Sequence, residues 1–166
     1  MRPKIGIIGG GNMGTTHGKA AHFLIKQGLI DAELVGVAEP DPERRASFAA
    51  ASGVALAVAD PDELIASPEI NTVYVCTPTV GHRDLVAKIS AAGKALFCEK
   101  PLAFNAEDDA AMAASARSAG ITHQVGLVMR FSAVTTVTRA LINDAEFGRP
   151  MTASMVPGCL AAHSAM

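Results

Sequence analysis

The chain lacks an excess of basic residues: Lys and Arg total 14 against 16 Asp and Glu, giving a net charge of -2 and a pI near 6.2. That balance offers no electropositive face, so nucleic acid and acidic membrane surfaces are not expected as partners. No uninterrupted apolar run approaches the roughly 18 residues needed to cross a bilayer. The opening Met1-Arg2-Pro3-Lys4 leads into Ile5-Gly6-Ile7-Ile8, too short and too rich in glycine for a signal-peptide core. A cytoplasmic protein is the expectation. Three cysteines, Cys76, Cys98 and Cys159, form no C-x-x-C pair and have no metal-ligand spacing, so no metal site is expected and the thiols read as reduced and buried. No serine-histidine-acid motif, solenoid-period repeat, low-complexity tract or flexible linker stands out. The 49% hydrophobic and 18% charged composition excludes intrinsic disorder, although alanine supplies much of the apolar share. A chain of 166 residues fits one domain able to bury about 70% of its unfolded surface.

What is present alternates. Short apolar runs at Lys4 to Gly9, Glu33 to Ala38, Ala55 to Val58, Thr72 to Cys76, Ala95 to Cys98 and His123 to Val128 read as strands, separated by helical stretches. Asp41 before Pro42, Asp60 before Pro61, and Asn105 before Asp108 read as helix caps. Gly28, Gly53, Gly93 and Gly120 each follow a helical stretch, where a positive φ closes the last turn. Leu85, Ile89 and Ala92, and likewise Met112, Ala116 and Ala119, recur at helical spacing as sheet-facing stripes. A further helix is expected from about Val134 to Asn143, then a break at Gly148-Arg149-Pro150 and a strand-like run from Met151 to Val156. The pattern predicts an α/β fold with a doubly wound parallel sheet of Rossmann type, helices on both faces.

Gly9-Gly10-Gly11-Asn12-Met13-Gly14 is a G-x-G-x-x-G between the first strand and the first helix. Its glycines suit a tight turn, a close backbone approach to pyrophosphate, and tight helix-sheet packing, with helix-start amides facing the phosphates. Glu39 ends the second strand, 25 residues past Gly14, where an acid would receive ribose hydroxyls and favour NAD. Arg44 and Arg45 follow closely and could accept a 2′-phosphate, which leaves NADP open. The plainer alternatives are a solvated loop acid and a charged helix face. His17 and His22 lie five apart on the first helix, off one face, and do not pair as a metal site. His123 reads as a hydrogen-bonded strand residue.

Two later segments extend the pattern. Val75-Cys76-Thr77-Pro78 with His82, and Gly93-Lys94 followed by Glu99-Lys100-Pro101, lie at strand ends, and Gly126 with Arg130-Phe131 follows the sixth strand. Together with the glycine loop, over roughly residues 4 to 150, they resemble the Gfo/Idh/MocA family of oxidoreductases. The resemblance implies that Gly9, Gly11, Asn12, Met13 and Gly14 hold the pyrophosphate and Glu39 the adenosine ribose. It implies that Thr77, Pro78 and His82 line the nucleotide groove, and that Glu99 and Lys100 lie near the nicotinamide. Lys100 is the implied catalytic residue, a cation able to stabilise a developing alkoxide and pass a proton. The plain alternatives are a surface lysine and a helix-start histidine satisfied by backbone.

Members of that family carry a second domain, which binds substrate and often supplies an Asp-x-x-x-His acid-base pair. Here residues 1 to 150 read as the NAD(P)-binding domain. Residues 151 to 166 read as a truncated start of the second domain or a replacement for it, with Cys159 rather than aspartate four residues before His163. The resemblance thus implies hydride transfer between nicotinamide and a secondary alcohol or ketone of a sugar, inositol or related polyol, by the complete protein. The alternative is a module that binds NAD(P) without turnover. The chain alone is expected to be inactive, and its apolar end and uncovered face to favour a homo-oligomer.

Overall fold

Apolar runs of four to six residues separated by capped helices pair in parallel, because each helix carries the chain back to the same end of the sheet. The computed structural model describes residues 1–152. In it the runs become β1 (Lys4–Ile8), β2 (Glu33–Ala38), β3 (Leu56–Val58), β4 (Thr72–Val75), β5 (Ala95–Cys98) and β6 (His123–Val125). All pairs are parallel and the order is β3-β2-β1-β4-β5-β6, the doubly wound arrangement expected. Several strands are shorter than their apolar runs. Gly9 and Cys76 fall just beyond β1 and β4, and β6 stops at Val125 because the Leu127 amide turns back onto the Val125 carbonyl at 2.7 Å.

The helices of this unit, Met1–Leu127, are α1 (Asn12–Lys26), α2 (Pro42–Ser52), α3 (Pro61–Ala66), α4 (His82–Ala91) and α5 (Ala106–Ser118). The expected caps form. Asp41 accepts from the Glu43 and Arg44 amides, Asp60 from Asp62, and Asn105 from Asp108. The Arg44 amide, ahead of the Glu43 amide and the charges of Arg44 and Arg45, holds the Asp41 carboxyl below the usual carboxylate range. Gly53 closes α2 at φ 67°. α1 and α2 cover one face through Ile5, Ile7, Val37 and Phe48, while Leu64, Ile89 and Met112 of α3, α4 and α5 meet Val73, Val75 and Leu96 on the other. The expected stripes need one correction each: Ala92 and Ala119 are exposed, since both are C-caps beyond the last sheet-facing turn. The buried stripe of α4 is Leu85, Val86, Ile89 and Ser90.

A second unit begins at Val128. It contains a 3-10 turn, Val128–Phe131, and α6 (Ala133–Ile142), whose N-cap Ser132 accepts from the Thr135 amide. The strand expected from Met151 and the tail to Met166 lie outside the described residues beyond Thr152. Among the described residues no helix is long and apolar enough to cross a membrane.

α1 and α2 approach closely at Gly18, where a Cβ would stand 2.6 Å from Phe48 Cζ. Alanine is the better helix former by about 1 kcal/mol, but Phe48 is buried in a packed core and cannot retreat freely. Overpacking outweighs propensity, so Gly18→Ala is expected to destabilise the chain by about 1–2 kcal/mol. A urea midpoint lowered at unchanged m-value is the result to look for.

Candidate functional site

The parallel register brings the residue after each strand to one level. Ile8 is paired with Ala38 and Val75, Ala38 with Val58, Val75 with Cys98, and Cys98 with Val125. One further hydrogen bond then closes each pair: Gly9 donates to Ala38, Glu39 to Val58, Cys76 to Ile8, Glu99 to Val75 and Gly126 to Cys98, at 2.8–3.0 Å. β1 and β4 are neighbours whose following helices leave to opposite faces, and a crevice opens between them at the carboxyl ends. A groove of about 640 Å³ lies there, lined by Gly9, Gly11, Asn12, Met13, Glu39, Arg44, Cys76, Thr77 and Pro78 among others. A second hollow of about 620 Å³ shares Gly11, Asn12 and Arg44 with it.

The glycine loop fits its spacing. Gly9 sits at φ 98° with the Cys76 carbonyl 2.7 Å from where a Cβ would stand, and a Cβ on Gly14 would lie 1.8 Å from the Gly9 carbonyl oxygen. Only glycine permits either approach. Gly14 is therefore buried under the loop rather than on the groove wall. Gly11 differs: nothing lies within 4 Å of its Cβ position. It is the N-cap of α1, no side chain caps that helix, and its first turn holds no acid. The first amides of α1 are thus left for an anionic group.

Glu39 is buried, with Oε2 accepting from the Gly10 amide at 2.7 Å and Oε1 from the Asp41 amide at 3.1 Å. It is no solvated loop acid, because its carboxylate braces the glycine loop. Arg45 is tied down by donating to the Glu39 and Pro40 carbonyls, whereas Arg44 reaches the groove.

His82 does not line the groove. Its side chain is 1% exposed, with Nδ1 3.0 Å from the Leu102 carbonyl oxygen and Nε2 3.0 Å from that of Thr77. It lies beneath the Thr77-Pro78 turn and ties it to the segment after Pro101. Lys94 sits at the start of β5, away from the groove, and its Nζ donates to the Ser67 and Ile70 carbonyls. Burial lowers its pKa. Glu99 and Lys100 follow β5, beyond the groove lining. Lys100 is exposed, and its amide donates to Glu99 Oε2 at 3.0 Å. Glu99 Oε1 meets His17 Nε2 at 2.7 Å. Spacing along α1 alone does not show this partner of His17; the signal for it is a place three residues after Gly14, on the same sheet-facing side of the helix. His22 is exposed, and His123 bonds the Ile121 carbonyl.

Cys98 is buried and Cys76 half-buried, and both are free thiols. Burial, and then the Glu99 carboxylate, push each pKa up to about 12. A thiol with so high a pKa is almost wholly protonated at pH 8. Alkylation of Cys76 and Cys98 by iodoacetamide at that pH is therefore expected to run roughly a thousandfold slower than that of an ordinary thiol of pKa about 8.5. Peptide mapping of the time course by mass spectrometry measures it.

Residues 3–127 match the profile of an oxidoreductase family with an NAD-binding Rossmann fold. An inositol 2-dehydrogenase of Rhizobium meliloti is 34% identical over 148 residues, covering 89% of this chain and 43% of that protein. The scyllo-inositol 2-dehydrogenase (NAD(+)) of Bacillus subtilis is 30% identical over 145 residues, covering 87% and 41% respectively. A solved structure of levoglucosan dehydrogenase in complex with NADH and levoglucosan superposes with a TM-score of 0.81 at 28% identity, over 90% of this chain and 41% of that one. The chain spans less than half the length of these relatives. With the family profile matching most of the chain and the glycine loop, Glu39 and Glu99-Lys100 at the strand ends of the sheet, this chain belongs to the Gfo/Idh/MocA family of oxidoreductases and carries its NAD-binding Rossmann fold.

Proposed function

We propose that this chain is the nucleotide-binding part of an NAD-dependent dehydrogenase acting on a secondary alcohol of a sugar, inositol or related polyol. One observation carries the reading. A glycine loop open at Gly11 and without a side-chain cap meets the carboxylate of Glu39 in a single groove. The substrate class is supported by the inositol and levoglucosan dehydrogenases that the chain is similar to.

The residues present fit a dinucleotide. The amides at Gly11, Asn12 and Met13 would face the diphosphate, with Gly9 and Gly14 giving the loop its close approach to β4 and α1. Glu39 would accept from ribose hydroxyls through lone pairs that its two amide donors leave unused. Thr77 and Pro78 would form the opposite wall. When bound, the nicotinamide ring supplies the hydride acceptor. Lys100 would hold a positive charge beside the alcohol oxygen as its proton leaves, and Glu99 fixes the backbone from which Lys100 extends. A 2′-phosphate would stand against the Glu39 carboxylate with Arg44 as the basic residue on the groove, so NAD is the favoured form.

Lys100, the residue given the proton step, is exposed and stands outside the groove lining, which favours one second reading, a module that binds without turnover. Calorimetric titration with NAD+, NADH and NADPH, beside a dehydrogenase assay over a panel of polyols, tests both: no binding overturns both, and reduction of NAD+ with any of the polyols excludes the module. Gly11→Val is the sharper test. The site is open and its φ of -69° suits valine, so the fold should lose no more than about 1 kcal/mol. The added methyls would fill the approach of the diphosphate, and NADH affinity should fall at least about a hundredfold. Unchanged affinity would remove the glycine loop from binding. Glu39→Arg should weaken NADH about tenfold and narrow its advantage over NADPH; an unaltered preference would contradict the role given to Glu39.

A further inference from the structure

Among the described residues, one ionisable pair with a buried carboxylate and a half-buried ring has no part in the groove lining: Glu99 after β5 and His17 of α1. His17 Nε2 lies 2.7 Å from Glu99 Oε1, with side-chain exposures of 19% and 6%. The carboxylate can only accept, so Nε2 carries the shared hydrogen. The ring has little freedom. It meets Tyr74 and Phe97 edge-on, at centroid distances of 5.8 and 5.1 Å, and those two rings stack on each other at 4.7 Å. Gly126 packs closely on the same carboxylate oxygen, since a Cβ there would come within 3.1 Å of Glu99 Oε1. The second oxygen of Glu99 accepts the Lys100 amide. A single relay of contacts therefore runs from the helix that opens at the glycine loop to the backbone of Lys100.

We propose that His17 is a positioning residue: it clamps Glu99, and through Glu99 the Lys100 backbone, so that one helix sets both the diphosphate anchor and the place of the lysine. The nicotinamide-end consequence rests on the dinucleotide reading above; the clamp itself does not. Two variants keep the test clear of simple misfolding. His17→Ala removes the donor, whereas His17→Gln can place an amide N–H near the former Nε2.

Amide hydrogen exchange on the full chain reads the clamp without any ligand. Protection of the Lys100 amide should fall about tenfold in His17→Ala and return to within about threefold of the original in His17→Gln, while the Cys76 and Gly126 amides, bonded to Ile8 and Cys98, keep theirs. Unchanged Lys100 protection, or an even loss at all three amides, would overturn the proposal, the latter leaving His17 a general support of the fold. Titration with NADH and with ADP-ribose, which lacks the nicotinamide, then reads the consequence. NADH affinity should drop about tenfold in His17→Ala and ADP-ribose affinity by less than about twofold. Equal losses would refute the assignment to the lysine end. If the unaltered chain bound neither compound, the dinucleotide reading would fall, and the exchange data would still decide the clamp.

Discussion

The groove depends on the depth at which the strands end. Because Gly9, Glu39, Cys76, Glu99 and Gly126 each donate to the last residue of a neighbouring strand, loop, acid and lysine turn stand in one row. That alignment is not automatic. β1 and β2 begin with Lys4 opposite Glu33 and Ile5 opposite Leu34, but Gly6 then pairs with Gly36, so Val35 is an extra residue. Without it, Ile8 would face Val37 and Glu39 would be carried one position out. In a sheet, one position reverses the face that a side chain takes. The irregularity falls beside close packing on both strands: a Cβ on Gly6 would meet Ile70 at 2.7 Å, and one on Gly36 would meet the Leu56 carbonyl at 2.9 Å. The bulge thus belongs to the geometry of the groove although it lies in mid-strand, three residues before the end of β2.

Helix ends divide along the same line. α2, α3 and α5 follow β2, β3 and β5, and each has its first amides satisfied by Asp41, Asp60 or Asn105. α1 and α4 follow β1 and β4, the two strands beside the crevice, and neither has a side-chain cap. A cap is worth about 1 kcal/mol, and the chain forgoes it only where amides open toward the crevice or where a buried histidine starts the helix. Stability at the crevice is recovered by longer contacts: Glu39 to Gly10, His82 to Thr77 and Leu102, and His17 to Glu99.

Those contacts also mark how far the sequence could be read. Strands, caps and the positive-φ glycines were legible because each rests on a few adjacent residues. The glycine loop was legible because its spacing is local too, and Glu39 because it ends a strand. Its bond to Gly10 was not, since that contact spans 29 residues and depends on the bulge at Val35. The partners of the two histidines were not legible for a related reason. His82 stands beside a Thr-Pro turn and suggested a groove wall, yet it starts a helix that packs against the sheet and faces inward. His17 looked unpaired along its own helix, while its partner lies 82 residues away at the end of β5. Linear spacing gives the side of a helix but not what the opposite element brings to it.

The double use of Glu39 limits how separately its two roles can change. Its carboxylate is the groove's acid, and the same group accepts the amides of Gly10 and Asp41 in a buried position. A residue chosen to welcome a 2′-phosphate would also leave those donors facing a cation, and an unsatisfied buried amide costs about 1–3 kcal/mol. On the proposed reading, cofactor preference and loop order would share one carboxylate. A change of preference that leaves the loop intact would need a new acceptor for Gly10 as well as a new partner for the phosphate, and Arg44, already on the groove, could serve only the second need.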